Sequence, residues 1–271
     1  MTLEIISKSN RSVSQLDLYL TCGERYRLRY IDGHNEPPAA WLFQGTEFHG
    51  VAEDWELNNR TESAEWMTSE YERRYLSAVE NAKREWPELW KWQRAPKQRT
   101  EDDIVSRLER GQTQLRAYHD HALSSDWRIL RDDRLPRGVG LEVAFELEFN
   151  EVILRGFIDQ VRVQANGEIT ADDLKTGAKK PESPVQLAVY AAALREIYGL
   201  NVHRGSYYMA KDGKAGKLLN VSHPIEQLEA WFTMLNRGIL AGVFLPKPGS
   251  HCTMCGMKPW CSYQKPELFF T

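Results

Sequence analysis

Two short stretches of the chain bring carboxylates close to a lysine. Gly156-Phe157-Ile158-Asp159 is followed by Ala171-Asp172-Asp173-Leu174-Lys175-Thr176-Gly177. Both read as strands, and alternation along the second puts Asp173 and Lys175 on one face with Leu174 turned into the core. Asp159 falls near the end of its own strand, so two carboxylates and an ammonium group meet at neighbouring strand ends. Hard oxygen ligands of this kind suit Mg2+ or Mn2+, and a lysine beside them can orient or activate an attacking water. A bare Asp-x-Lys is a common tripeptide, and alone it reads more simply as a surface ion pair at a hairpin end.

Other residues add to that core. Gly45-Thr46-Glu47-Phe48-His49 carries a histidine one helical turn after a glycine, on an element able to face the sheet edge. Gln186 and Tyr190, four apart, share one helix face just after the Lys175 strand. Each of these also fits ordinary packing. The four cysteines are Cys22, Cys252, Cys255 and Cys261. In a reducing compartment the Cys252-x-x-Cys255 spacing favours a metal over disulfides, because a tight turn lets both sulfurs reach one centre. Four thiolates complete the coordination of zinc or an iron–sulfur cluster. Cys22 must then meet the trio across some 230 residues; the plainer alternative is one Cys-x-x-Cys and unrelated buried thiols.

The elements that must position these groups follow from pattern and punctuation. Ser12 with Gln15 three residues on is a capping box, opening a helix that runs through Cys22 toward Arg29. After Pro37-Pro38, helical periodicity starts near Gly45 and continues to about Asp126, with a fresh start at Thr100-Glu101-Asp102-Asp103 and a stripe of Ile104, Leu108 and Leu115. Strands are predicted over 140–149, 152–163 and 167–175, with Asn166-Gly167 as a hairpin turn. Ser183-Pro184 opens a helix that Gly199 stops, a strand follows around 206–210, and a helix over 225–241. The order describes a mixed α/β domain with one sheet.

The 271 residues can close a sizeable core, and 42% apolar with 27% charged residues excludes a largely disordered chain. A net charge of −3 neither suggests nor excludes nucleic acid, since one groove can still concentrate cations. No apolar run is long enough for a membrane helix, and the N-terminus lacks a basic stretch followed by an apolar one. The expected location is the cytoplasm.

Taken in order, Ser14-Gln15-Leu16 and Cys22, Gly45–His49, Gly156–Asp159, Asp173–Gly177, Gln186–Tyr190 and Cys252-x2-Cys255-x5-Cys261 resemble the RecB-like nucleases of the PD-(D/E)XK superfamily. The likeness is to the iron–sulfur branch, which holds the AddB nuclease domain and the Cas-four-type exonucleases, phage-type members included. It spans nearly the whole chain. It departs at Gly23, where that branch often has proline after the first cysteine, which changes the local turn and leaves ligation possible.

The resemblance implies a restriction-endonuclease-like α/β core, a mixed central sheet flanked by helices, with a helical segment over the active site and an Fe–S clasp joining the termini. Residues 1–271 form a single nuclease domain in this reading. Its parts are an N-terminal helix with the first cluster cysteine (1–36), a helical arch (41–130), a catalytic core (138–222), a helix (223–250) and a C-terminal cysteine cluster (251–271). Asp159 and Asp173 would hold Mg2+ or Mn2+ with the Leu174 carbonyl, and His49 would be a further ligand that leans the site toward Mn2+. The extra acidic ligand is matched by Glu142, with Glu146 as the alternative. Lys175 would hold the nucleophilic water and offset charge in the transition state; Gln186 and Tyr190 would orient it or contact DNA. Cys22, Cys252, Cys255 and Cys261 would carry a [4Fe–4S] cluster, with zinc as runner-up.

A phosphodiesterase also needs cations along the backbone. Arg25, Arg27, Arg29, Lys91, Lys179 and Lys180 are candidates, as is Trp92 within the basic stretch Lys91–Arg99. The expected activity is a metal-dependent DNA exonuclease on single-stranded or end-frayed DNA in recombination, repair or phage DNA processing. The host cytoplasm is then the location if the chain is phage-encoded. No GxxxxGK(S/T) motif is present, so a helicase or recombination partner would be a separate chain, and homo-oligomers are open. Two other classes compete: a catalytically silent DNA-binding or adaptor module on a nuclease scaffold, and, more distantly, a zinc-bound structural protein acting on RNA.

Overall fold

The computed structural model describes residues 8–95 and 97–265. The first seven residues, part of the reading of the N-terminus, and 266–271 of the expected cysteine segment lie outside them. Among the described residues eight strands form one mixed sheet: β1 (Ser9–Arg11), β2 (Arg128–Ile129), β3 (Leu141–Glu148), β4 (Val152–Val163), β5 (Ile169–Lys175), β6 (Val202–Met209), β7 (Lys214–Ala215) and β8 (Leu219–Asn220). The long β4 is its centre. β3 and β5 flank β4 antiparallel, β1 joins it in parallel, and β6 runs parallel to β5. No helix among the described residues is long and apolar enough to cross a membrane.

Helices cover the sheet in two groups. α1 (Val13–Thr21), α6 (Val185–Glu196) and α7 (Ile225–Leu240) share a core with Ala171, Val161 and Tyr207. α6 is buried nearly all round, from Leu187 to Leu194, which explains its run of alanines: small side chains let it lie close to the sheet on one side and α1 on the other. α3 (Ala40–Leu57), α4 (Ala64–Glu85) and α5 (Thr100–Ser124) build a second core of Phe48, Trp55, Tyr71, Tyr75 and Tyr118, closed against Leu141, Leu174 and Tyr208 of the sheet. The expected arch over the active site is therefore a packed layer on one sheet face. The reason is its aromatic content, which must be buried against something.

In that layer Tyr71 and Tyr75 of α4 donate hydrogen bonds to the carbonyls of Arg107 and Ile104 on α5, each at 3.0 Å. The approach requires Gly111, because a Cβ there would lie 2.1 Å from the Tyr71 ring. Gly111→Ala is expected to cost about 1–3 kcal/mol by overpacking, despite alanine's better helix propensity. Thermal denaturation checks this; an unchanged or higher Tm would refute the contact.

Several boundaries differ from the sequence reading. The capping box forms, with Ser12 Oγ accepting from Gln15 N–H and Gln15 Oε1 accepting from Ser12 N–H. The helix does not continue to Arg29: Cys22 is extended, and the chain resumes as α2 (Gly23–Tyr26) and a wide π-helical turn at Arg27–Ile31. The second helix starts at Ala40, before Gly45, and the helical pattern breaks between Trp86 and Thr100, where Pro87 and Pro96 stand. β1, β2, β7 and β8 are too short to show periodicity in the sequence. Ser183 Oγ does accept the Val185 N–H, but Pro184 occupies the capping position, not the first helical turn.

Candidate active site

Asp159 lies inside β4, not near its end; four residues follow it. The β4–β5 ladder pairs Gln160 with Asp172, so the next step along brings Asp159 beside Asp173. Alternation then gives Asp173 and Lys175 the face under α6, while Leu174 is buried in the opposite core. The Leu174 N–H donates to Asp159 Oδ2 at 2.9 Å, which fixes that carboxylate without using its other oxygen.

Lys175 is held from two sides. Its Nζ lies 2.8 Å from Asp173 Oδ2 and donates to Asp173 Oδ1 at 3.1 Å and to Gln186 Oε1 at 2.8 Å. The Gln186 Nε2 donates to the Tyr190 hydroxyl at 2.7 Å. A chain of contacts thus runs from the carboxylate through the ammonium group to α6. Asp173 Oδ2, for all its proximity to Nζ, lacks a partner with hydrogen-bond geometry.

Beyond Asp159, His49 from α3 places Nδ1 3.5 Å from Asp159 Oδ2 and 3.9 Å from Glu142 Oε1. Single ligand atoms of His49, Glu142 and Asp159 all lie within 4.8 Å of one another, the one such group of three among the described residues. Glu142 takes a φ of 43°, a left-handed conformation that costs a non-glycine residue on the order of 1 kcal/mol. Glu146, the alternative, is instead paired with Arg155 at 2.6 Å. The structure therefore brings Glu142, and not Glu146, to the aspartates.

Burial and mutual repulsion dominate the electrostatics. Asp173 is pushed up to about 7 by burial and by Asp159, against the pull of Lys175. Asp159 is raised by burial, with Glu142 adding to it and His49 opposing. Burial works against the charge of His49, yet Asp159, Glu142 and Asp173 outweigh it and raise the imidazole to about 9. Three acids with one imidazole and one ammonium group make a site that attracts a cation. The donor set of Asp159, Glu142 and His49 fits a divalent ion with oxygen and imidazole ligands.

The four cysteines are free thiols lining one small cavity with Arg25, Leu28 and His251. No three of their sulfurs fall within 4.8 Å of one another. A single tetrahedral zinc with Zn–S bonds of about 2.3 Å holds its sulfurs ~3.8 Å apart. The chain ends also touch without any metal: Ser262 donates to Glu24 Oε1 from its hydroxyl at 2.8 Å, and His34 stacks on Trp260 at 4.5 Å.

The expected DNA contacts fare unevenly. Trp92, expected to face DNA, is instead buried: the residue is 2% exposed, packs on Phe43 and donates to the Trp86 carbonyl, whereas Trp90 is 68% exposed. Arg25 is bidentate to Glu36 and Arg27 is tied to Glu24 and Asp32, so neither offers a free cation. Arg29 lies 3.9 Å from Glu36, and Lys91 pairs with Glu88 while facing the Trp90 ring. Lys179 and Lys180 are exposed in the loop after β5.

A cleft of about 550 Å³ opens beside the carboxylates, lined by His49, Glu142 and Asp159 and also by Phe157, Pro136 and Arg137. Arg137 is anchored by Glu53 at 2.7 Å. Pro136, Arg137 and Phe157 are not among the site residues expected from the sequence. Phe157 was detectable in principle, because it adjoins Ile158 in a strand and the two cannot both face one core.

Comparison with known proteins gives the same region a family context. Residues 10–262 match the family described as the PD-(D/E)XK nuclease superfamily. The chain is similar to the Gene 69 protein of Mycobacterium phage D29, 32% identical over 93% of this chain and 96% of that protein. It is also similar to the Gene 69 protein of Mycobacterium phage L5, 30% identical over 93% and 95%.

Proposed function

The chain belongs to the PD-(D/E)XK nuclease superfamily, and from that premise we propose that it is a metal-dependent DNA exonuclease acting on single-stranded or end-frayed DNA. The observation that carries this reading is the joining of Asp173 to Lys175 and Gln186 on the face next to Asp159, Glu142 and His49. A structural ion pair needs no second and third acid beside it, and repulsion among them is costly unless a cation is meant to bind.

Asp159, Asp173, Glu142 and His49 would hold Mg2+ or Mn2+, with the Leu174 carbonyl as a further donor. A divalent ion there supplies Lewis-acid polarisation of the phosphoryl oxygens. The chain's own contribution is positional. Lys175, fixed by Asp173 and Gln186, orients a water toward phosphorus and offsets the negative charge that grows as the P–O ester bond breaks. Tyr190 keeps Gln186 in place. The Cys22, Cys252, Cys255 and Cys261 set, which lines one small cavity, would carry a [4Fe–4S] cluster, with zinc as the alternative ion. Lys179 and Lys180 remain candidates for the DNA backbone, and phage DNA processing, recombination or repair is the setting the phage relatives favour.

The test is direct. Purified protein with Mn2+ or Mg2+ should release short products from linear DNA labelled at either end, faster from single strands, and should leave circular single-stranded DNA intact. Cleaved circles would replace the exonuclease with an endonuclease. Binding without cleavage in either metal would favour the silent scaffold instead.

A further inference from the structure

Phe157 is 60% exposed on the central strand of the sheet, an unusual place for a bare phenyl ring. It lies two residues before Asp159 on β4, and both line the same cleft. The residue opposite it on β3 is Ala144, also exposed, whose methyl group leaves the ring uncovered. One step further, Arg155 pairs with Glu146 across the same two strands. Along β3 and β4 there follow, in order, the metal-binding acids, an open aromatic ring and a guanidinium group.

We propose that Phe157 stacks an unpaired nucleobase of the DNA strand whose phosphate lies at Asp159, and so selects single-stranded substrate. The inference rests on the nuclease reading above and adds the residue that decides the substrate's form. An aromatic face is a sequence-tolerant platform for bases, because every base has a π-face. In a duplex those faces are covered by neighbouring base pairs, so a base reaches Phe157 only from a single strand or a frayed end. Pro136 and Val143 line the same cleft as the ring and add apolar surface beside it. Arg155, its charge shared with Glu146, lies where the strand continues.

Binding is measured without cleavage, by fluorescence anisotropy of a fluorescein-labelled thymidine 15-mer in EDTA and again in Ca2+. Phe157→Ala is expected to weaken binding about 5- to 150-fold, and Phe157→Trp to restore it. A single abasic residue, moved along the oligonucleotide, should weaken wild-type binding most at one position near the cleaved end. In Phe157→Ala that position should lose its special effect. Duplex cleavage should change less than single-strand cleavage, which narrows the preference. A wild type that cleaves single strands while Phe157→Ala, folded by its Tm, binds and cleaves equally well would overturn this inference and leave the nuclease standing. A wild type that neither binds nor cleaves DNA would overturn both.

Discussion

Asp173→Asn is expected to lower DNA cleavage by about 10³-fold or more while the protein keeps or gains thermal stability. The two effects share one cause. In the folded chain the Asp173 carboxyl is buried beside Asp159 and held up to about 7, so its negative charge is a burden that Lys175 offsets only in part. Asparagine has the same shape and no charge. It removes a metal ligand and frees Lys175 from its carboxylate partner, which destroys the electrostatic arrangement that the transition state requires. It also relieves repulsion among the acids, and each ~1 kcal/mol recovered raises the Tm of the metal-free protein by about 2–4 °C. Cleavage assays in Mn2+ and melting curves in EDTA check the pair. Full activity in the variant would remove Asp173 from the chemistry; a collapse of the Tm would make it a structural residue.

Cys22→Ser should have the second largest effect, on the integrity of the chain ends. Anaerobically purified wild type is expected to be brown, with iron and acid-labile sulfide near four each per chain. The variant should lose most of both, with a Tm lower by at least about 10 °C, since metal binding free energy is also folding free energy. The loss should stay partial, because Glu24 with Ser262 and His34 with Trp260 join the ends independently. Zinc in place of iron would retain the clasp with a different ion. A metal-free wild type with unchanged stability in Cys22→Ser would leave four unrelated thiols.

Much of the site was legible because strand alternation is a strict rule. Given that 167–175 is a strand, Asp173 and Lys175 must share a face, and the structure places them so. Periodicity and stop signals likewise located β3, β4, β5 and α7 to within a residue or two. Short elements escaped for the opposite reason. β1, three residues long, carries no pattern, and its existence depends on β4 offering an edge. Trp92 and Trp90 are chemically alike, and only the neighbourhood of Phe43 and Trp86 decides which of them is buried.

The sequence by itself determined which residues could do chemistry and in what order they arrive: the Asp159 and Asp173-Leu174-Lys175 stretches, the helix carrying Gln186 and Tyr190, and four cysteines at the chain's two ends. These are local properties, set by residue type and by the periods of helix and strand. Tertiary structure alone decided which distant groups converge. His49 meets Glu142 and Asp159 only because α3 packs across the sheet, and the left-handed turn at Glu142, not at Glu146, aims its carboxylate inward. Such choices depend on side chains separated by roughly a hundred residues of chain, and no local rule spans that distance.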